Sequence, residues 1–170
     1  LLVDDLAAQR QRCKQSKFVK SASEDFAGPS GKSFAVELDI GAGNGLWLEF
    51  TGGLSNLVGA RDAAFECVDS TAMVAAKRSD IIAPLESIGL AAHKKASDGF
   101  FDVLAAINAV VLLDWHYLEV NEPTEKPGEK PGVMTNFLQR MGRPGIFGTN
   151  LVPHDMAKFV ATAKASKVET

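Results

Sequence analysis

The chain has only two cysteines among its 170 residues, Cys13 and Cys67, and no C-x-x-C pair. That excludes a disulfide framework and a cysteine-based zinc site, and reads as two free thiols in a reducing compartment, cytoplasm or organelle interior. No apolar run reaches the roughly 18 to 20 residues that a membrane-spanning helix needs. The longest, residues 103–113, is interrupted by Asn108. The three histidines, His93, His116 and His154, are too scattered to argue a metal site, and neither G-x-S-x-G nor H-E-x-x-H occurs. A net charge of −3 gives no global attraction to nucleic acid or to an anionic membrane. The start lacks the charged-then-apolar layout of a secretion signal. Leu1 in place of Met fits a processed product, such as one left after removal of an organelle import sequence, or the ordered part of something longer.

What is present is an ordinary globular composition, 46% hydrophobic and 23% charged, enough for one domain with a core. Residues 1–33 divide off as an arm with six basic and four acidic side chains. Its first 20 residues read as a polar helix. Arg10, Arg12, Lys14, Lys17 and Lys20 have no acid among them. They read either as a solvated helical face or as a docking edge for RNA or a protein partner. A Ser/Gly/Pro loop completes the arm. Its end, Gly28-Pro29-Ser30-Gly31-Lys32-Ser33, matches a phosphate-binding P-loop only in part. Phe26 stands where the first glycine belongs, and a strand follows where a helix should.

The stretch that organises the remainder, residues 34–170, is F-A-V-E-L-D-I-G-A-G-N-G at 34–45. Apolar side chains at Phe34, Val36, Leu38 and Ile40 alternate with period two and predict a strand. Gly41, Gly43 and Gly45 then permit a turn and close approach of a ligand to the backbone. Residues 46–57 are expected to begin a helix, whose free N–H groups suit a nucleotide-like ligand.

Asp39-Ile40-Gly41-Ala42-Gly43-Asn44-Gly45 resembles the first motif of class I S-adenosylmethionine-dependent methyltransferases. Three further points are similar in order and spacing. A strand over 63–68, after a turn at 59–62, leads to Val68-Asp69-Ser70-Thr71-Ala72-Met73, with Asp69 in the ribose-binding place and a helix over 71–78. Phe101-Asp102 resembles the family's fourth strand, which would end at Asn108 beside the transfer site and be followed by a helix over 109–118. Lys130-Pro131-Gly132 resembles the turn before its fifth strand, here over 133–138. Covering residues 34–138, the resemblance implies a Rossmann-like α/β fold, a mostly parallel sheet with helices on both faces and an abbreviated C-terminal part. It implies S-adenosylmethionine as cofactor, bound by Asp39, Gly41, Gly43, Gly45, Asp69 and Asn108. The implied activity is methyl transfer to an RNA or small-molecule acceptor, with no catalytic residue assigned. The adenine-contacting segment fits poorly, with Asp98 as its only acidic candidate.

Other readings of the same residues stand beside these. Asp69 suits a helix start, residues 101–117 suit one Ala-rich buried helix, and Asn108 suits a cap or turn. Trp47 reads as a core or edge anchor as well as an adenine stacker. Residues 121–132, N-E-P-T-E-K-P-G-E-K-P-G, form a linker without regular structure. After it come a turn at 142–145, a strand over 146–152 and a helix over 154–167. The rival function is a non-catalytic structural subunit of a larger assembly, either a degenerate methyltransferase-like fold or a largely helical scaffold.

Overall fold

The computed structural model describes residues 1–28, 31–41, 43, 45–52, 65–92, 100–112 and 117–166, with side chains omitted at 2, 65–69 and 100–102. The alternation at Phe34, Val36 and Leu38 forms strand β4 (Gly31–Asp39), and all three side chains are fully buried. Past Asp39 the chain reverses into β5 (Gly45–Gly52), which pairs antiparallel with β4 from Ser33↔Thr51 to Asp39↔Gly45. Leu46 and Phe50 point inward from β5 while Trp47 and Glu49 point out. The hairpin is the centre of the first sheet. β1 (Leu2–Val3) lies parallel to β5, and β2 (Val19–Ala22) and β3 (Phe26–Gly28) pair antiparallel with the far edge of β4. Between β1 and β2 runs α1 (Leu6–Gln15), capped by the Asp5 carboxylate, which accepts from the Ala8 N–H at 2.9 Å.

The second sheet has the order β7 (Ala109–Val111), β8 (Tyr117–Asn121), β6 (Phe65–Val74), β9 (Gly145–Pro153). β6 and β8 are parallel, and the other two pairings are antiparallel. Helices α2 (Ser79–Ser87) and α3 (Phe100–Ala106) occupy the connection from β6 to β7. The chain passes from β8 to α4 (Val133–Met141) through 122–132 without helix or strand, and α5 (Met156–Ala165) follows β9.

One apolar cluster joins the sheets. Phe34, Val36, Leu38 and Phe50 from the first meet Met73, Leu118 and Val120 from the second, with Ile81, Leu85 and Ile88 from α2 and its C-terminal turn. The Phe34 and Phe50 rings stack at 5.4 Å. Each such side chain contributes about 1.5–3 kcal/mol on burial. Polar contacts pin α1 to α2: buried Gln9 donates from Nε2 to the Ile88 carbonyl at 2.8 Å.

This architecture corrects the Rossmann-like expectation. Among the described residues, two of the seven strand pairings are parallel, and the sheets are mixed rather than doubly wound. The physical reason lies first at residues 46–50. Leu46, Leu48 and Phe50 repeat with period two, so they extend the apolar face that β4 begins, and a helix would turn Leu48 away from Leu46 and Phe50. The glycines therefore turn a hairpin instead of feeding a helix. Residues 71–74, expected helical, continue β6. Phe101-Asp102, expected on a strand, lie in α3, and 109–111, expected helical, form β7. Residues 133–138, expected as a strand, form most of α4, which ends at Gly142 in the left-handed conformation. The described fold gives no support to the methyltransferase assignment, which rested on that layout. The turn at 59–62, Asp98 and Asn44 lie outside the described residues, as do His93 and His116.

Candidate functional site

The residues singled out for cofactor binding fall in three places. Asp39, Gly41, Gly43 and Gly45 gather at the tip of the β4–β5 hairpin. Gly41 and Gly43 have φ of 88° and 77°, which reverse the chain at little cost only because glycine lacks a Cβ. Asp39 accepts from the Gly41 N–H at 2.9 Å, an Asx turn that shapes the loop. Lys20 of β2 reaches Asp39 at 3.7 Å and the Gly43 carbonyl at 3.3 Å. The carboxylate and the glycines thus act on each other.

Asp69 belongs to the other sheet, within β6 at a register irregularity between Val68 and Ser70. Asn108 lies at the opposite end of that sheet, in the turn from α3 to β7. It adopts φ 59°, a conformation that asparagine tolerates better than most residues. Its Nδ2 donates to Glu122, whose other oxygen accepts from the Arg78 N–H at 2.8 Å. Arg78 in turn donates to the Ala109 carbonyl at 3.2 Å. This cluster ties the turn before β7 to the start of α2, so Asn108 is a turn residue. Val74 pairs with Asn121, next to Glu122. Asp69 is five residues back along β6, roughly 17 Å at ~3.3 Å per residue. The fold does not bring Asp69 and Asn108 together.

The basic arm is partly consumed in the same way. Arg10 donates to the Ser23 carbonyl at 2.9 Å, pairs with Asp25, and lies over the buried Phe34 ring at 4.2 Å. Asp25 also meets Lys32 at 2.6 Å, and Lys32, then Arg10, hold its carboxyl below the usual carboxylate range. Arg12 donates to Gln9 Oε1 at 2.9 Å, and Lys17 lies over the Phe18 ring. Among the described residues no helix is long and apolar enough to cross a membrane.

The surface that does stand out was not among the candidates. Seven of the eleven exposed large apolar side chains of the described residues lie within 133–159: Val133, Met141, Ile146, Phe147, Leu151, Met156 and Phe159. They occupy α4, β9 and α5. β9 ends its sheet, pairing with β6 on one side and with no described strand on the other. α4 and α5 bury little, Phe137 and Ala163 respectively. Between α4 and β9 runs an open groove of about 380 Å³, lined by Val133, Asn136, Phe137, Arg140 and Phe147. Its floor is built by Phe137 and Phe147, whose rings meet edge to face at 5.4 Å. A second hollow of about 250 Å³ opens between the sheets where Ile146 of β9 approaches Trp47, Leu48 and Leu118. A sequence signal existed for this face. Val133, Asn136, Phe137 and Arg140 have the i, i+3, i+4, i+7 spacing of one helical stripe.

Comparison with protein-family models yields no match, and none of the curated proteins searched matches this chain significantly.

Proposed function

We propose that this chain is a non-catalytic subunit that holds a protein partner on the face made by α4, β9 and α5. The supporting observation is the concentration of exposed apolar side chains there. Monomeric proteins scatter such side chains singly, whereas contiguous patches mark interaction sites. Phe147 of the terminal strand and Val133 of the adjoining helix line one groove, while Ile146 opens into the hollow beside Trp47, so exposed apolar groups flank β9 on both sides. The face is also built from elements that the core holds loosely on one side, so a partner can cover it without displacing Phe34, Phe50 or Leu85.

In this reading the arm has the lesser share of docking. Arg10 and Lys20 hold the first sheet together, and Lys14 and Lys17 are left as a solvated edge to which a protein or RNA would add electrostatic attraction only.

Site-specific photocrosslinking tests the proposal. A photoreactive residue at Leu151 should give one adduct of defined mass with a partner protein, and the same group at Lys32 should give none. Adding Ile146→Asp should abolish the adduct while leaving the circular dichroism spectrum unchanged. Equal labelling from both positions would refute the assignment.

A further inference from the structure

The groove between α4 and β9 has a chemical character that narrows its occupant, an inference that rests on the docking role just proposed. Residues 133–166 carry four basic side chains, Arg140, Arg143, Lys158 and Lys164, against Asp155, and Glu125 adds a second carboxylate at the start of α4, which leaves an excess of two positive charges (4 − 2). The whole chain is net negative at −3, so this face runs against the charge of the molecule. None of the four basic groups forms an ion pair with a described residue. Arg140 lines the groove itself, beside the apolar walls of Val133, Phe137 and Phe147. An apolar trough with an unspent guanidinium at its side matches an apolar side chain followed or preceded by a carboxylate.

We propose that the groove binds an acidic peptide segment of a partner protein, seating one apolar side chain against Phe137 and Phe147 and a carboxylate on Arg140. Two features disfavour the other occupants. A second copy would have to join β9 edge to edge, yet the β9 register slips between Gly148 and Ile146, leaving Phe147 as an extra residue. Pro144 precedes the strand and Pro153 is its last residue. Bulges and prolines are devices that blunt such edges. A flat membrane surface would meet the rim at Val133, 71% exposed, but would not reach Phe137, 8% exposed, against which the Phe147 ring packs.

The test is selection of a displayed library of random nonapeptides on the intact chain. Enriched peptides should carry an apolar residue flanked by Asp or Glu. An enriched peptide should bind about tenfold or more weakly to Arg140→Glu, and more weakly as salt rises. Replacing its acid by Lys should restore binding to Arg140→Glu, an outcome that a misfolded variant cannot give. Enrichment without acidic bias, or no enrichment, overturns the proposal. So does binding to vesicles of equal parts phosphatidylserine and phosphatidylcholine without peptide binding. If the peptide result fails while the Leu151 crosslink stands, the docking role survives and only the acidic-peptide assignment falls.

Discussion

Alanine replacement along the glycines of the first sheet should give an uneven set of stability losses, because each position asks something different of its residue. Gly31 has φ 145°, and a Cβ there would run into the backbone carbonyl of Gly52. Neither conformation nor neighbour can yield cheaply. Conformational strain of ~1–3 kcal/mol and crowding of ~1–3 kcal/mol make a loss of about 3 kcal/mol the expected outcome. Gly41 and Gly43 also have positive φ, but a Cβ at either meets no atom within 4 Å. Only the left-handed backbone term remains, about 1 kcal/mol each. Gly45 lacks a positive φ, and its Cβ would meet the Glu37 side chain, whose carboxylate can swing aside for the loss of one exposed bond from the Ser21 hydroxyl. Its loss should stay within about 0.5 kcal/mol. With a urea slope of about 2 kcal/mol/M, the midpoint should fall by about 1.5 M for Gly31→Ala, about 0.5 M for Gly41→Ala and Gly43→Ala, and about 0.25 M or less for Gly45→Ala. Far-ultraviolet circular dichroism through the urea transition measures all four, with the slope checked for constancy. A loss at Gly45 equal to that at Gly31, or none at Gly41 and Gly43, would refute the hairpin account.

Arg10→Ala should destabilise by roughly 1–2 kcal/mol, since it removes the cation from the Phe34 face together with partly exposed bonds to Ser23 and Asp25. Lys14→Ala should change stability by less than about 0.5 kcal/mol in the same urea assay. Equal effects would mean that Arg10 is as free as Lys14. Glu125 accepts from its own backbone N–H, from the Gly132 N–H that leads into α4 and from the Thr135 hydroxyl, and these bonds hold its carboxyl below the ordinary glutamate value. A depressed carboxylate stabilises the fold above its unfolded pKa and loses that contribution as pH falls through its folded pKa. Glu125→Gln should therefore flatten the acid limb of the stability profile, and an unchanged limb would count against this cap. Cys13 is 1% exposed, and burial pushes its thiol up, against a weaker pull from Gln9. In a Cys67→Ser background a thiol reagent should label Cys13 only as the chain opens. Immediate labelling of the folded chain would contradict the packing of α1 on the core.

Local pattern was legible where one face of an element is buried and the other is wet. Phe34, Val36 and Leu38 announced β4 because alternate positions face the cluster while Ala35 and Glu37 between them do not. The Pro/Gly content of 121–132 announced a break for the equally local reason that proline removes an N–H and fixes φ. What failed was connection. Five residues such as 46–50 fit one and a half helical turns or a strand, and the choice rests on a partner strand that periodicity does not name. With the glycines taken as a strand-to-helix turn, the strand to 108, the helix over 109–118 and the strand over 133–138 follow from likeness to the family. Strand β7 and helix α4 came out reversed although Gly132 and Gly142 bracket α4 and Arg140 sits in its last turn. The candidate cofactor residues divide along the same line between local and distant. Asp39 and its glycines are adjacent in sequence and stayed together in space, while Asp69 and Asn108 needed the wrong topology to join them.

The strand β9 shows what such a sequence still records. Ile146 and Phe147 are successive, as are Leu151 and Val152, so apolar groups occupy both faces of the strand and no clean inside–outside alternation exists. A strand of that composition suits cover on both sides. β9 is instead the last strand of its sheet, and Ile146, Phe147 and Leu151 are 58%, 39% and 42% exposed. At ~25 cal/mol per Å² of apolar surface removed from water, covering even ~200 Å² here would contribute about 5 kcal/mol of gross association energy before the entropic costs of binding. That term offsets only the lower end of the ~4–15 kcal/mol that association costs, so docking also draws on the groove beside Arg140. The mismatch between the strand's composition and its surroundings also gives the crosslink at Leu151 a sharper meaning, because a partner that covers β9 supplies the second side that the strand's own residues already fit.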